Sequence, residues 1–251
     1  MRKNFGVSII LPNYNSHLYL KETLKSVINQ SFKNWELIIV DDKSNIQTKK
    51  ILNNFKKNKK IKIFFLKSNR GAAYCRNLAL KKVNYPFVAF LDSDDVWKKN
   101  KLKLQLDFMK KNDFQFTYTN YETFGEKKRR ISPPKFFNFK KFIHNTSIST
   151  STIIVRRDIL KGVNFTNTEI CEDYYFKCKL LKKINRAYCL DKFLTFYRIR
   201  KKSLQSNYFK NVYWIWKINK DYNKLNFLQN FFSLFLISLN SIKKYGGKNM
   251  Y

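Results

Sequence analysis

Four short apolar runs in the first hundred residues are separated by segments of helical period. The runs are Val7 to Leu11, Glu36 to Val40, Ile61 to Leu66 and Phe87 to Leu91. Between the first two, Leu20, Leu24, Val27 and Ile28 have the i, i+4, i+7, i+8 spacing of one helix face. Ile46 to Phe55 and Ala72 to Lys82 read as the next two helices. A strand–helix order repeated in this way predicts an α/β fold, a mostly parallel sheet flanked by helices on both faces. In such sheets ligands bind outside the carboxyl ends of the strands.

Acids stand at those ends. The fourth run, Phe87-Val88-Ala89-Phe90-Leu91, delivers Asp92-Ser93-Asp94-Asp95. Three carboxylates within four positions repel one another, and a divalent cation between them relieves the repulsion. Hard oxygen ligands suit Mg²⁺ or Mn²⁺, metals that usually hold a phosphate. The second run ends in Asp41-Asp42-Lys43-Ser44, and the first in Pro12-Asn13-Tyr14-Asn15, a turn that presents Tyr14 at the sheet edge. Asn69-Arg70-Gly71 to Arg76-Asn77 places arginines around a helix N-terminus, an anion-binding arrangement.

Composition closes off other classes. The chain has 251 residues, 44% hydrophobic and 17% aromatic, enough for a real core. Its six glycines permit neither G-x-G-x-x-G nor a Walker loop. Cys75, Cys171, Cys178 and Cys189 have no C-x-x-C spacing, which disfavours zinc and a disulfide framework and fits a reducing cytosol. No apolar leader precedes Val7. A formal net charge of +34 invites a polyanion. The joint richness in Lys, Asn, Ile, Phe and Tyr is also that of translated AT-rich sequence, however, and no nucleic-acid partner is expected. A nucleic-acid-binding reading would leave the carboxylates unexplained, since without metal they repel phosphate.

Past Leu102 to Met109, a further helix, the pattern loosens. Phe114 to Asn120, Thr152 to Arg156, Arg186 to Leu190 and Leu194 to Arg198 are β-like, and Glu172 to Leu181 is helical. Asn145 to Thr152 is rich in hydroxyls. The tail differs in kind. Leu225 to Ile242 carries no charge, yet Asn226, Asn230, Ser233 and Asn240 fall roughly on one helical face. An amphipathic helix lying on a membrane or on the domain fits this better than a span. From Lys201 onward there are nine basic residues and one acid, which suits anionic headgroups.

The ordered set P-x-Y-N, V-D-D-x-S, N-R-G-x-x-x-x-R-N, D-S-D-D, E-D and Y-R resembles the family 2 glycosyltransferases of the GT-A fold, which include many bacterial polysaccharide and lipopolysaccharide sugar transferases. The resemblance covers residues 6 to 205 and implies a GT-A domain over 1–205 with a basic amphipathic helical tail over 206–251. It implies transfer of a sugar from a nucleotide sugar, usually a UDP sugar, to a lipid-linked or oligosaccharide acceptor, with inversion and with Mg²⁺ or Mn²⁺. By the same resemblance Tyr14 stacks on the base, Asp41 accepts from its ring N–H, and Pro12 offers backbone. Arg70 or Arg76 approaches the base or the diphosphate. Asp94 is the direct metal ligand, and Asp92 meets the ribose or a metal-bound water, with Ser93 beside it on the donor. Asp95 caps the following helix. Asp173 is the general base and Glu172 a helper or helix N-terminal charge. Arg198 and Arg200 face the diphosphate. The hydroxyl-rich stretch lies near the acceptor. Two positions depart from the family pattern: Lys43 stands where glycine is common, and Arg200 where histidine is common. The expected location is cytoplasmic, peripheral at the inner face of the cell membrane.

Overall fold

The computed structural model describes residues 5–200 and 208–245. Its first half keeps the sequence order: β1 (Val7–Asn13), α1 (Leu20–Ile28), β2 (Trp35–Asp41), α2 (Ile46–Phe55), β3 (Ile61–Phe65), α3 (Gly71–Leu80) and β4 (Phe87–Phe90). These four strands are parallel, in the order β3-β2-β1-β4. β1 and β2 are apolar without alternation because both their faces are covered. Val7, Ile9, Leu11, Leu37 and Ile39 pack under Leu20 and Leu24 of α1. Ile10, Ile38 and Val40 point the other way, toward Ala73 and Cys75 of α3.

The second half adds β5 (Val96–Trp97), α4 (Lys101–Asn112), β6 (Phe116–Gly125), β7 (Arg129–Ile131), β8 (Phe136–Phe137), α5 (Phe139–Phe142), β9 (Ile154–Arg156), α6 (Glu172–Lys183) and β10 (Ala187–Ile199). Here the sheet turns mixed. β9 runs antiparallel to β4 and β6, and β10 parallel to β6. The two strands expected over 186–198 are one strand, β10, whose register against β6 shifts between Leu190 and Phe193 and again before Thr195. Bulges absorb the polar Asp191-Lys192 pair that breaks the apolar pattern. Thr150 to Thr152, whose last residue is expected to open a strand, forms a 3-10 turn.

The tail is two helices, α7 (Tyr208–Lys217) and α8 (Phe227–Tyr245), joined through a π-helical turn at Ile218–Tyr222. The expected boundary at 205/206 lies outside the described residues. Both tail helices pack onto the sheet domain: Ile215, Ile218 and Ile237 share one core with Phe142 and Tyr174. Tyr174 Oη donates to Asn219 Oδ1 at 2.7 Å, and Ser233 Oγ donates to the Ile143 carbonyl at 2.5 Å. α8 therefore sits with its polar stripe inward. Ser233 is 0% and Asn230 1% exposed, whereas Phe227 is 70% and Phe231 55% exposed. No helix among the described residues is long and apolar enough to cross a membrane.

Removing residues 206–251 strips three buried isoleucines from the core, each worth about 1.5–3 kcal/mol. That is a large share of a total stability of about 5–15 kcal/mol. The truncated chain is expected to lose cooperative unfolding, measured by far- and near-ultraviolet circular dichroism on heating. A truncated chain that melts sharply at the full-length temperature would show that the tail adds nothing to the core.

Candidate active site

The carboxyl ends of β1 and β2 are tied into one rim. Asn13 Nδ2 donates to Asp41 Oδ1 at 2.6 Å, and the Ser44 amide donates to Asp41 Oδ2 at 3.1 Å. The Asn15 amide in turn donates to Ser44 Oγ at 2.9 Å. Tyr14 is left standing out of this rim, 52% exposed. Asp41 is 0% exposed, and its oxygens accept from Asn13 and Ser44. Its carboxylate buttresses the turn that carries Tyr14, and each oxygen, accepting one hydrogen bond here, keeps a lone pair for a further donor. Lys43 has φ +60°, a left-handed conformation that glycine adopts without penalty, which accounts for glycine's frequency there. Pro12, within β1, is half-buried.

Asp42 spends its carboxylate on α3. The amides of Arg70 and Gly71 donate to its two oxygens at 2.7 and 2.8 Å, at the end of α3 where negative charge is favourable. Gly71 has φ +83°. Arg70 is thereby fixed at the helix start with an exposed side chain, its guanidinium 4.5 Å from the Tyr74 ring centroid. Arg76, further along the helix, is 5% exposed and faces inward. Its Nη2 pairs with Asp92 Oδ1 and its Nη1 with Glu172 Oε1, both at 2.7 Å. The two arginines thus separate: Arg70 borders the crevice, and Arg76 joins the D-S-D-D loop to α6. Burial alone would lower the Arg76 pKa, but Asp92 and Glu172 drive it up.

The D-S-D-D loop is held from three sides. The Asp92 amide donates to Ser151 Oγ at 3.0 Å. The Ser93 carbonyl accepts from Thr23 Oγ1 at 3.1 Å. Arg198 Nε donates to the Asp94 carbonyl at 2.9 Å, and Arg198 Nη2 pairs with Glu22 at 2.5 Å. Arg200 Nε pairs with Asp94 Oδ2 at 2.9 Å. Asp95 does not cap α4; it is 1% exposed and its Oδ1 accepts from the Arg198 amide at 2.9 Å. Helix capping needs an acceptor at the residue before the helix, and Asn100 occupies that place.

The electrostatics of the loop favour positive charge. Burial raises the Asp94 pKa, Arg200 opposes it and Asp92 adds to it. Asp95 is pushed well above the usual carboxylate range by burial, then by Asp94 and Asp92. Asp95 Oδ2 is buried without a hydrogen-bond partner. Three mutually repelling acids with an unsatisfied buried oxygen form a site that positive charge stabilises, and Arg200 now supplies part of that charge. Asp92 and Asp94 are the residues that would hold a divalent ion.

Asp173 lies in the first turn of α6, after Cys171 in a left-handed conformation (φ +62°). Its Oδ2 accepts from Thr150 Oγ1 and from Lys177 Nζ, both at 2.8 Å. Its side chain remains 20% exposed, whereas that of Lys177 is 5% exposed. Burial raises the Asp173 pKa, but the adjacent Lys177 charge and hydrogen bond outweigh it and bring the pKa to about 2. Lys177 and Thr150 belong to none of the sequence motifs. The signal for Lys177 is its place in an acid–lysine i, i+4 pair on a helix. That for Thr150 is the hydroxyl run, which holds both the Asp92 amide and Asp173.

An exposed aromatic and a repelling acid loop thus follow the strand ends, Asp42 holds the helix start that carries Arg70, and Arg76 joins the acid loop to the helix that carries Asp173. The model of the glycosyl transferase family 2 matches residues 8–233. A putative teichuronic acid biosynthesis glycosyltransferase TuaG of Bacillus subtilis is 34% identical over 243 residues, 95% of this chain and 96% of the relative. The Escherichia coli UDP-Glc:alpha-D-GlcNAc-diphosphoundecaprenol beta-1,3-glucosyltransferase WfgD is 34% identical over 226 residues, 87% of each chain. Among solved structures, Staphylococcus aureus TarS 1-349 in complex with UDP-GlcNAc superposes with TM-score 0.73 at 25% identity, covering 95% of this chain and 73% of that one. The chain belongs to glycosyl transferase family 2, with the GT-A fold.

Proposed function

We propose that this glycosyltransferase moves a sugar from a UDP sugar to a lipid-linked glycan acceptor, with inversion and with Mg²⁺ or Mn²⁺, at the cytosolic membrane face. The observation that supports this reading most is the Arg76 bridge, which ties Asp92 of the D-S-D-D loop to Glu172, the residue before Asp173. The substrates named for WfgD and the UDP-GlcNAc bound to TarS support the donor and acceptor classes.

In this reading Tyr14 stacks on the base, beside the backbone of Pro12 and the turn buttressed by Asp41. Arg70 faces the diphosphate, Asp92 and Ser93 the ribose end, and Arg198 and Arg200 close the phosphate side. The divalent ion, held by Asp94 and Asp92, supplies charge neutralisation for the departing nucleoside diphosphate. Asp173 receives the proton of the acceptor hydroxyl as its oxygen bonds to the anomeric carbon and the bond from that carbon to the phosphate oxygen breaks. One displacement inverts the anomeric centre. Lys177 holds one oxygen of Asp173 and keeps the carboxylate ionised, so the base is ready throughout the neutral range.

The apolar stripe of α8 supports the membrane part. Phe227, Leu228, Phe231, Phe232 and Phe235 are each more than half exposed, and Lys224 and Lys243 flank them. Apolar side chains rimmed by lysine suit an anionic interface.

Asp94→Asn is expected to abolish Mn²⁺-dependent UDP binding in calorimetry while leaving the melting temperature near that of the parent. Full transfer by this variant in excess EDTA would remove the metal assignment.

Asp173→Asn is expected to bind UDP normally and lose about 10²–10⁴ in turnover, or about 3–5 kcal/mol of barrier. Because the folded pKa lies below the ordinary value, the ion pair's contribution to stability is present at neutral pH. It is lost as the pH falls from the unfolded carboxylate pKa through about 2. Lys177→Met removes the charge that depresses the pKa, so the acid limb of its kcat profile should move to higher pH. An unmoved limb would separate Lys177 from the base.

Phe231→Glu/Phe235→Glu is expected to lower flotation with phosphatidylglycerol vesicles several-fold, with UDP binding unchanged. Equal flotation of parent and variant would place membrane contact elsewhere.

A further inference from the structure

A cavity of about 450 Å³ lies between β7, the loop at Asn145–Ser147 and the last turns of α8. Arg129, Arg130, Lys243 and Lys244 line it, and no carboxylate among the described residues does. Successive strand residues face opposite ways, so Arg129 turns its side chain toward α8 and Arg130 turns its own toward Glu122 and Phe193. Arg129 Nη1 donates to the Lys244 carbonyl at 3.3 Å, which ties β7 to the end of α8. Arg130 stacks on Phe193, 3.9 Å from the ring centroid, and its Nε lies 4.0 Å from Glu122, so it is only weakly neutralised. Ser147, 3% exposed, also lines the cavity, and its Oγ is buried with no hydrogen-bond partner. Burial, and then the charge of Lys177, bring the Lys244 pKa down to about 8.

The cavity adjoins the base. Ser147 precedes Ile148, whose carbonyl accepts from Lys177 Nζ at 2.8 Å, and the same nitrogen holds Asp173 Oδ2 at 2.8 Å. Thr150, two residues on, holds Asp173 from the other element. Leu239 and Ile242 of the exposed α8 stripe, 41% and 39% exposed, are the chain neighbours of the lining residues Asn240 and Lys243. A cationic pocket with a catalytic carboxylate on one side and an apolar ridge on the other matches a molecule that is sugar, diphosphate and hydrocarbon in that order. The Arg129 guanidinium and the Lys243 ammonium suit phosphate oxygens, and the unpartnered Ser147 hydroxyl can donate to one.

We infer that this cavity binds the diphosphate of a lipid-linked acceptor, with the sugar directed toward Asp173 and the hydrocarbon along the outward face of α8. The inference rests on the transferase reading above and adds the site and charge of its acceptor.

The test uses the full chain with Mn²⁺ and saturating UDP, so that the donor site is filled. The probe is fluorescently tagged farnesyl diphosphate below its micellar concentration, followed by anisotropy, with equally tagged farnesol as the uncharged control. The parent should bind the diphosphate at least tenfold more tightly than the alcohol, and inorganic pyrophosphate should displace it. Arg129→Gln/Lys243→Gln, both at exposed side chains, should weaken probe binding tenfold or more with UDP affinity and melting temperature unchanged. Equal binding of the probe by parent and variant, or equal affinity for farnesol, would overturn the assignment. Displacement by short-chain phosphatidylglycerol as effective as that by pyrophosphate would also overturn it, marking a general headgroup site. If the parent binds the probe but not UDP, the donor reading fails and the cavity assignment stands.

Discussion

The guanidinium of Arg76 is the contact on which the site depends. It is buried, and its two ends are taken by carboxylates from distant parts of the chain, Asp92 after β4 and Glu172 at the start of α6. Buried charge is costly, and a buried ion pair adds little net stability compared with apolar packing. Removing one member is another matter, because it leaves uncompensated acids beside Asp94 and Asp95, which already repel. The bridge is therefore better understood as geometry than as stability. It fixes the separation between the acid loop and the carboxylate of the neighbouring residue, Asp173.

The hydroxyl run over 147–152 completes that frame from below. Ser151 Oγ accepts from the Asp92 amide, and the Ser151 carbonyl accepts from Trp97 Nε1 at 2.7 Å. Thr150 donates to Asp173, while the Ile148 carbonyl receives Lys177. One short segment thus touches the metal-type loop, the base and the lysine beside the base. Short polar side chains do this where longer ones could not, because each reaches a backbone group one layer away. The basic cavity lined by Ser147 adjoins that same segment, so an acceptor bound there and Asp173 would share a support.

Much of the fold is legible in the sequence because it rests on local periodicity. The spacing predicts a second helix over Ile46 to Phe55, where α2 lies, and the parallel half results from strands separated by helices. The site motifs are legible as residue types at strand ends. Their division of labour is not. Asp41 and Asp42 are adjacent in sequence, yet one buttresses the Tyr14 turn and the other anchors α3, a difference set by which way each side chain points from the strand end. Arg70 and Arg76 look alike in sequence and differ because Arg70 precedes the first turn of α3 while Arg76 is on its inner face. Glu172 is 96 residues from Arg76 along the chain, and no local pattern encodes that contact. The single β10 strand is obscured in sequence because its bulges interrupt the alternation that marks a strand.

The tail shows how hydropathy can find an amphipathic helix without saying which side faces in. A helix on a protein normally buries its apolar stripe. α8 buries Ile237 and packs Leu234 against the core, yet leaves its phenylalanines outside and fills the rest of its inner face with polar groups whose donors find carbonyls. Ser233 meets Ile143, Asn240 meets His144 at 3.0 Å, and Asn230 meets Trp216 at 3.0 Å. A donor satisfied in this way costs little to bury, whereas an unsatisfied group costs about 1–3 kcal/mol, and Asn230 Oδ1 is such a group, buried without a partner. The phenylalanines left outside have no such compensation in water, and an apolar patch of this extent on a monomer marks a surface meant for something other than solvent. Lysines at both ends of the stripe favour an anionic, partly apolar neighbour over a purely apolar protein face. The same helix ends at the cavity, so the surface that would meet the lipid and the cavity that would hold the acceptor's diphosphate lie on one element, while α6, Thr150 and Lys177 hold Asp173.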